Sequence, residues 1–177
     1  MTESIRTFQV AIDETTLDDL KRRLAAARWP DAETCDNWDQ GIPLAYSKEL
    51  ASYWANDYDW RRCEQQLNSW PQHLTEIDSI DVHFIHRRSS HEHAMPLIIS
   101  HGWPGSVIEF SKVIDALAQP ELYGGDPADA FHVVAPSLPG FGFSGKPTTT
   151  GTTVEKIGQM WGELMARLGY DRYVAQG

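Results

Sequence analysis

The chain is poor in cysteine and in positive charge. Its 177 residues hold two cysteines, Cys35 and Cys63. Their spacing fits neither a metal knuckle nor a redox pair, which excludes a disulfide framework and makes a reducing compartment the expectation. Fifteen Lys and Arg stand against 25 Asp and Glu, a formal net charge of −10. That disfavours nucleic acid and anionic membrane surfaces as partners. No apolar run approaches the ~18 residues of a membrane span. The opening Met-Thr-Glu-Ser-Ile-Arg has no apolar h-region, so neither a signal peptide nor a membrane anchor is expected, and the location is read as cytoplasmic. There is no internal repeat.

What is present is globular. Hydrophobic residues make up 41% of the chain and aromatics 11%, enough for a sizeable core in one domain, or one and part of a second. The seven Trp are read mostly as packing residues. Phe8, Val10 and Ile12 alternate and predict a short strand or extended arm. Thr16 with Asp19 reads as an N-cap pair, with Leu17, Leu20, Leu24 and Ala27 at helical spacing before Pro30. Ser47 is placed as the cap of a second helix, with Leu50, Tyr53 and Trp54 on its apolar face. Asp59 is placed as the cap of a third, carrying Trp60, Cys63, Leu67 and Trp70. Asp57, Asp59 and Glu64 are assigned to solvated faces.

The pattern changes after Pro71. Leu74 to Ile77 and Ile80 to His86 predict two strands, and Pro96 to Ser100 a buried one. Ile108, Val113, Ile114 and Leu117 predict a helix, Phe131 to Ser137 a strand, and Val154 to Leu168 a helix stopped by Gly169. Arg172 to Gln176 begins another strand. This order predicts an α/β fold: a mixed, mostly parallel sheet covered by helices, with the hairpin as its antiparallel edge. The domain reading is a helical arm over 1–72 and a partial core over 73–177. Ligands in such sheets bind beyond the C-terminal ends of the strands.

Two motifs lie at those ends. In His101-Gly102-Trp103-Pro104-Gly105 the glycines relieve crowding, and Pro104 restricts Trp103 to extended or cis geometry. Such a turn can lift a backbone N–H into a site, or it can be scaffold alone. His101 is read as a support beneath the turn and not as a base. Ser137-Leu-Pro-Gly-Phe141-Gly-Phe143-Ser-Gly is either a surface loop or a pair of turns that aims Phe141 and Phe143 at a pocket. Gly140 to Lys146 imitates a phosphate-binding loop, but Pro147 stands where a hydroxyl is needed and no helix follows. His83, His86, His91 and His93 invite a metal reading. Alternation puts His83 and His86 on opposite strand faces and no Cys or acid completes the set, so no metal or other cofactor is expected.

Taken together, the sequence resembles the epoxide hydrolases of the microsomal and juvenile-hormone type. The resemblance rests on four stretches. They are Lys21-Arg-Arg-Leu with Arg28-Trp29-Pro30-Asp31, Trp54 through Tyr58-Asp59-Trp60-Arg61 to Trp70-Pro71, His101-Gly-Trp-Pro-Gly-Ser with Glu109-Phe110, and Pro136-Ser-Leu-Pro-Gly-Phe-Gly-Phe-Ser144. It implies the first half of an α/β-hydrolase fold behind an N-terminal arm. It also implies an Asp nucleophile that opens the epoxide through an ester, two lid tyrosines, and a His with an acidic partner that activates water. Trp103 matches the donor of one oxyanion-hole N–H, and His101, Gly102, Pro104, Gly105, Phe141 and Phe143 fall to the loop and pocket. The substrate implied is a small apolar epoxide, in a detoxification role.

Neither a G-x-S-x-G elbow nor a Gly-Asp-Trp-Gly segment occurs in the 177 residues. Asp171 precedes the last strand, whereas an elbow must follow one. The chain is therefore read as truncated before the nucleophile and inactive alone. A dehalogenase or esterase on the same fold is a rival reading, and a non-catalytic binding module is another. Half a sheet leaves an open edge, so poor solubility or pairing with a separate C-terminal piece is expected. A homo-oligomer is also compatible with the sequence.

Overall fold

The computed structural model describes residues 4–177. Its strands are β1 (Arg6–Phe8), β2 (Gln72–Ile77), β3 (Ile80–Arg87), β4 (Met95–Ile99), β5 (Phe131–Pro136) and β6 (Val174–Gln176). Its α-helices are α1 (Glu14–Ala25), α2 (Leu44–Asn56), α3 (Trp60–Leu67), α4 (Ile114–Ala118) and α5 (Val154–Arg167). By contact density the chain forms two units, Val10–Gln66 and the combination of Leu67–Gly177 with the segment ending at Gln9.

One sheet of order β1-β2-β3-β5-β4-β6 organises the larger unit. From β1 through β2 and β3 to β5 each strand is antiparallel to its neighbour, while β5, β4 and β6 run parallel. The mixed sheet matches the sequence reading, but its order does not follow the chain. β3 pairs with β5, and β4 lies beyond it between β5 and β6. β1, and not the hairpin, is the outermost antiparallel strand. The hairpin turns on Asp78 and Ser79, both at positive φ, as a two-residue loop of primed type requires.

β3 is buried on both faces from Val82 to His86, so it behaves as an interior strand. α5 covers one face. Met160, Trp161, Leu164 and Met165 pack with Phe84, Ile98 and Val134, which follows from apolar residues at helical spacing. Thr153 caps it by accepting from the Lys156 N–H. Gly169, at φ 81°, ends it, and there glycine avoids the Cβ penalty. The helix expected after the His101 turn is split into a 3-10 segment, Val107–Lys112, and the short α4. Ser106 and Glu109 close a reciprocal capping box at its start, satisfying N–H groups that the helix itself leaves open.

The smaller unit corrects three sequence expectations. Asp13, not Thr16, caps α1, accepting from the Thr16 N–H at 2.7 Å. Its carboxyl is held below its ordinary range chiefly by the Thr15 hydroxyl and then the Thr16 N–H. α2 starts at Leu44, three residues before Ser47, and the Glu33 carboxylate accepts from its first N–H at 2.8 Å. Glu64 is not on a solvated face. Its side chain is 14% exposed and accepts from the Ile12 N–H, the Trp60 indole and Arg61. Arg61 also donates to the Ile12 carbonyl and to Glu14.

Leu17, Leu20, Leu50, Tyr53, Trp54 and Tyr58 line an open groove of about 670 Å³ between α1, α2 and α3. The apolar face of α2 is thus half-exposed among the described residues, and Trp29, Trp38, Trp54 and Trp103 are exposed instead of packed. No described helix is long and apolar enough to cross a membrane.

Candidate functional site

β4 carries the chain into the site as an apolar strand, with Ile98 and Ile99 buried. At its C-terminal end the Ser100 N–H donates to the Gln176 carbonyl at 2.9 Å, so the ends of β4 and β6 lie side by side. The Ser100 hydroxyl accepts from the Trp161 indole at 2.9 Å, which anchors this corner to α5. Gly177 is close here: a Cβ would stand 3.2 Å from that of Ser100.

The turn follows. The Trp103–Pro104 peptide is cis, one of the two geometries the sequence allowed. Trp103 is 82% exposed and packs little surface. Gly105 is required by crowding, since a Cβ would meet the Glu109 carboxylate at 1.7 Å and the Gly102 carbonyl at 2.8 Å.

His101 is buried beneath the turn. Its Nε2 accepts from the Leu138 N–H at 3.1 Å, so the ring proton sits on Nδ1 and is donated to the Gly102 carbonyl at 3.0 Å. Both nitrogens are engaged, which leaves no base and fits the support role. Phe141 packs edge-on against the ring, with centroids 5.8 Å apart. The structure thus gathers His101, Gly102, Trp103, Pro104, Gly105 and Phe141 at the end of β4. Phe143 takes a different position, against His83 at 5.2 Å and Phe8 at 5.3 Å.

Sequence reasoning missed a second buried network. His83 Nδ1 lies 2.9 Å from the Ser137 hydroxyl, and Nε2 lies 2.9 Å from Gln72 Oε1. Because Oε1 can only accept, the proton is on Nε2 and the Ser137 hydroxyl donates to Nδ1. Burial pushes the His83 pKa down to about 4, with the neighbouring His73 adding to the effect. The Ser144 hydroxyl donates to the Ser137 carbonyl at 2.7 Å and accepts from the His83 N–H at 3.0 Å.

A Ser–His pair at this distance has the form of a nucleophile and its base. Here both side chains are fully buried, so no substrate reaches the hydroxyl and the pair is scaffold. Gly142, at φ 51°, passes so close that a Cβ would meet the Ser137 hydroxyl at 2.8 Å. The available signal was the Pro136-Ser137 step at the end of a strand. No local pattern joins the network, because the partners of His83 lie 11 and 54 residues away in sequence.

The remaining histidines disperse. His86 Nε2 pairs with the Tyr170 hydroxyl at 2.9 Å, and burial lowers its pKa to about 4, helped by Arg88, His73 and His132. His91 pairs with Glu121 at 3.0 Å. Among the described residues, no three His, Cys, Asp or Glu are gathered as a metal site.

Comparison with known proteins fits this geometry. The family described as epoxide hydrolase N terminus matches residues 5–110, and that described as alpha/beta hydrolase fold matches 95–177. A Stigmatella aurantiaca protein carrying the name "Putative epoxide hydrolase" is 53% identical over 98% of this chain and 39% of its own length. Epoxide hydrolase 1 of Sus scrofa is 35% identical over 99% of this chain and 39% of its own. The crystal structure of juvenile hormone epoxide hydrolase from Bombyx mori superposes with a TM-score of 0.85 at 32% identity, over 99% of this chain and 42% of that one. The chain therefore spans about two-fifths of the length of the relatives it matches.

Proposed function

Since the chain belongs to the epoxide hydrolase N-terminus family, we propose that it furnishes one half of the oxyanion hole of an epoxide hydrolase, through the backbone N–H of Trp103. One observation carries this reading: β4 and β6 are parallel neighbours whose C-terminal ends meet at Ser100 and Gln176. In α/β-hydrolases one N–H comes from the loop after a central strand, and the other from the residue after the nucleophile on a strand-to-helix turn. In this reading the second turn follows β6, beside the first.

The reaction then runs in two steps. A carboxylate attacks an epoxide carbon, so a C–O bond of the ring breaks and an ester bond forms, while the ring oxygen takes a proton from acid side chains. Water, losing its proton to a base, adds to the ester carbonyl, and the charge on the carbonyl oxygen is met by the two N–H groups. Collapse releases the vicinal diol and restores the carboxylate.

The nucleophile, the acids and the base come from outside the 177 residues. These contribute the Trp103 N–H, the His101 support and an apolar wall at Phe141, which suits a small apolar epoxide. Phe143 is not part of this wall, since it packs against His83 and Phe8 instead. The arm over 1–72, the partial core over 73–177, a cytoplasmic location, the absence of a cofactor, and a partner that completes the sheet, whether a C-terminal piece or a second copy, belong to this reading.

The test joins this chain at Gly177 to the remainder of the Stigmatella aurantiaca protein and follows styrene oxide hydrolysis. Trp103→Pro removes the N–H and should slow breakdown of the ester by about 10²–10³-fold, the usual value of one such donor. Trp103→Ala keeps the N–H and should leave that step nearly unchanged. Equal loss in both variants removes the oxyanion role. A folded hybrid without turnover favours a non-catalytic binding module.

A further inference from the structure

The His83 network and the Trp103 turn meet at one residue step. Ser137 donates its hydroxyl to His83 Nδ1, and the next residue, Leu138, donates its backbone N–H to His101 Nε2. His101 in turn donates Nδ1–H to the carbonyl of Gly102, which forms the peptide bond to Trp103. A continuous path of hydrogen bonds and one covalent step therefore runs from the interior of β3 to the turn.

Every joint of the path is fixed from a second side. The His83 ring is held by Gln72 Oε1, and Gln72 donates its own amide to the Leu67 carbonyl at 2.9 Å. The Ser137 N–H bonds the His83 carbonyl at 2.8 Å, and Ser144 closes the loop back onto both. Phe8 and Phe143 both stand edge-on to the His83 ring, with centroids 5.0 and 5.2 Å away. The group at the head of this path is a neutral ring with one donor and one acceptor, each matched, in a site with no water-exposed surface. Buried polar networks in which every member is satisfied rigidify what they touch, whereas a half-satisfied one is costly.

We propose that His83 is a positioning residue for the oxyanion turn, acting through Ser137 and Leu138 on His101. The proposal rests on the oxyanion reading of Trp103. It adds that the direction of that N–H is set from β3, a strand that otherwise contributes nothing to the site. His83 touches neither substrate nor reacting atoms.

The experiment is nitrogen NMR of the histidine rings and backbone amides in the 177-residue chain. The wild type should show His101 with its proton on Nδ1, and a correlation across the hydrogen bond from the Leu138 amide to His101 Nε2. Ser137→Ala should abolish that correlation and let the His101 proton exchange between nitrogens, while the His86–Tyr170 pair at the other end of β3 keeps its signals as the internal check on folding. A purely structural role predicts lower stability with the His101 signals intact, and that result overturns the proposal. Should Ser137→Ala not fold, Ser137→Cys keeps the shape with a weak donor and should weaken the same correlation, and an undiminished one overturns the proposal. Turnover in the hybrid keeps the two readings apart: Ser137→Ala that loses the correlation but keeps full turnover overturns the positioning role, while the Trp103 variants alone decide the oxyanion reading.

Discussion

Acidification should begin to destabilise the larger unit above the range where carboxylates titrate. His83 and His86 are both held at about 4 by burial, against an ordinary 6.5. Each difference corresponds to about 3 kcal/mol of folding free energy. The unfolded ring binds a proton below about pH 6.5 and the folded ring only below about 4, so the unfolded state takes up more protons in between. Stability is therefore complete above about 6.5 and is lost as pH falls towards 4. By about pH 4 the two rings together withdraw about 6 kcal/mol, comparable with the whole stability of many domains, about 5–15 kcal/mol. His73 and His132 are lowered by burial and act in the same direction. Carboxylates held below their ordinary values, such as Glu33 and Glu64, lose their contribution only beneath about 4.5, so the interval above belongs to the histidines. The assay is urea unfolding followed by circular dichroism across that interval. His86→Phe should reduce the slope by about one proton, ~1.4 kcal/mol per pH unit. Flat stability from 6.5 to 4.5, or an unchanged slope in the variant, refutes the reasoning.

Leu164→Ala opens a hole between α5 and the sheet at a fully buried position, and should lower unfolding free energy by about 2–5 kcal/mol in the same urea assay. Gly105→Ala must expel the Glu109 carboxylate from its capping box. A loss of about 1 kcal/mol is expected, together with shifted amide resonances from Gly102 to Ser106; unshifted resonances would contradict the crowding. The outer edge of β6 carries the exposed Val174 and has no strand partner among the described residues. Val174→Lys should reduce concentration-dependent light scattering, since charge on an edge blocks strand addition.

Much of the fold was legible because its elements are locally consistent. The apolar runs ending at Ser100 and Ser137 became β4 and β5 within a residue or so, and the spacing from Val154 to Leu168 became α5. Strand order was not legible, since β3 beside β5 is a pairing of distant segments that no window contains. Caps failed for a related reason. Thr16 and Ser47 looked right by type, but Asp13 lay earlier and Glu33 reached α2 from 11 residues away. At the site, Gly and Pro announced the Trp103 turn. The support of that turn was divided between two motifs, His101 in one and Leu138 in the other, and each looked complete without its partner.

The clamp of Arg61 and Glu64 on Ile12 has a topological consequence. β1 pairs with β2 across everything from Val10 to Gln66, and closing so long a flexible loop carries an entropic penalty that grows with its length. By holding its own entry and exit together, the smaller unit converts that loop into a preassembled insert with neighbouring ends. The first strand of the sheet then becomes a gauge of a unit it does not belong to. Hydrogen exchange at Arg6 to Phe8 should quicken when Glu64→Ala releases the clamp, although no atom of the sheet has been changed.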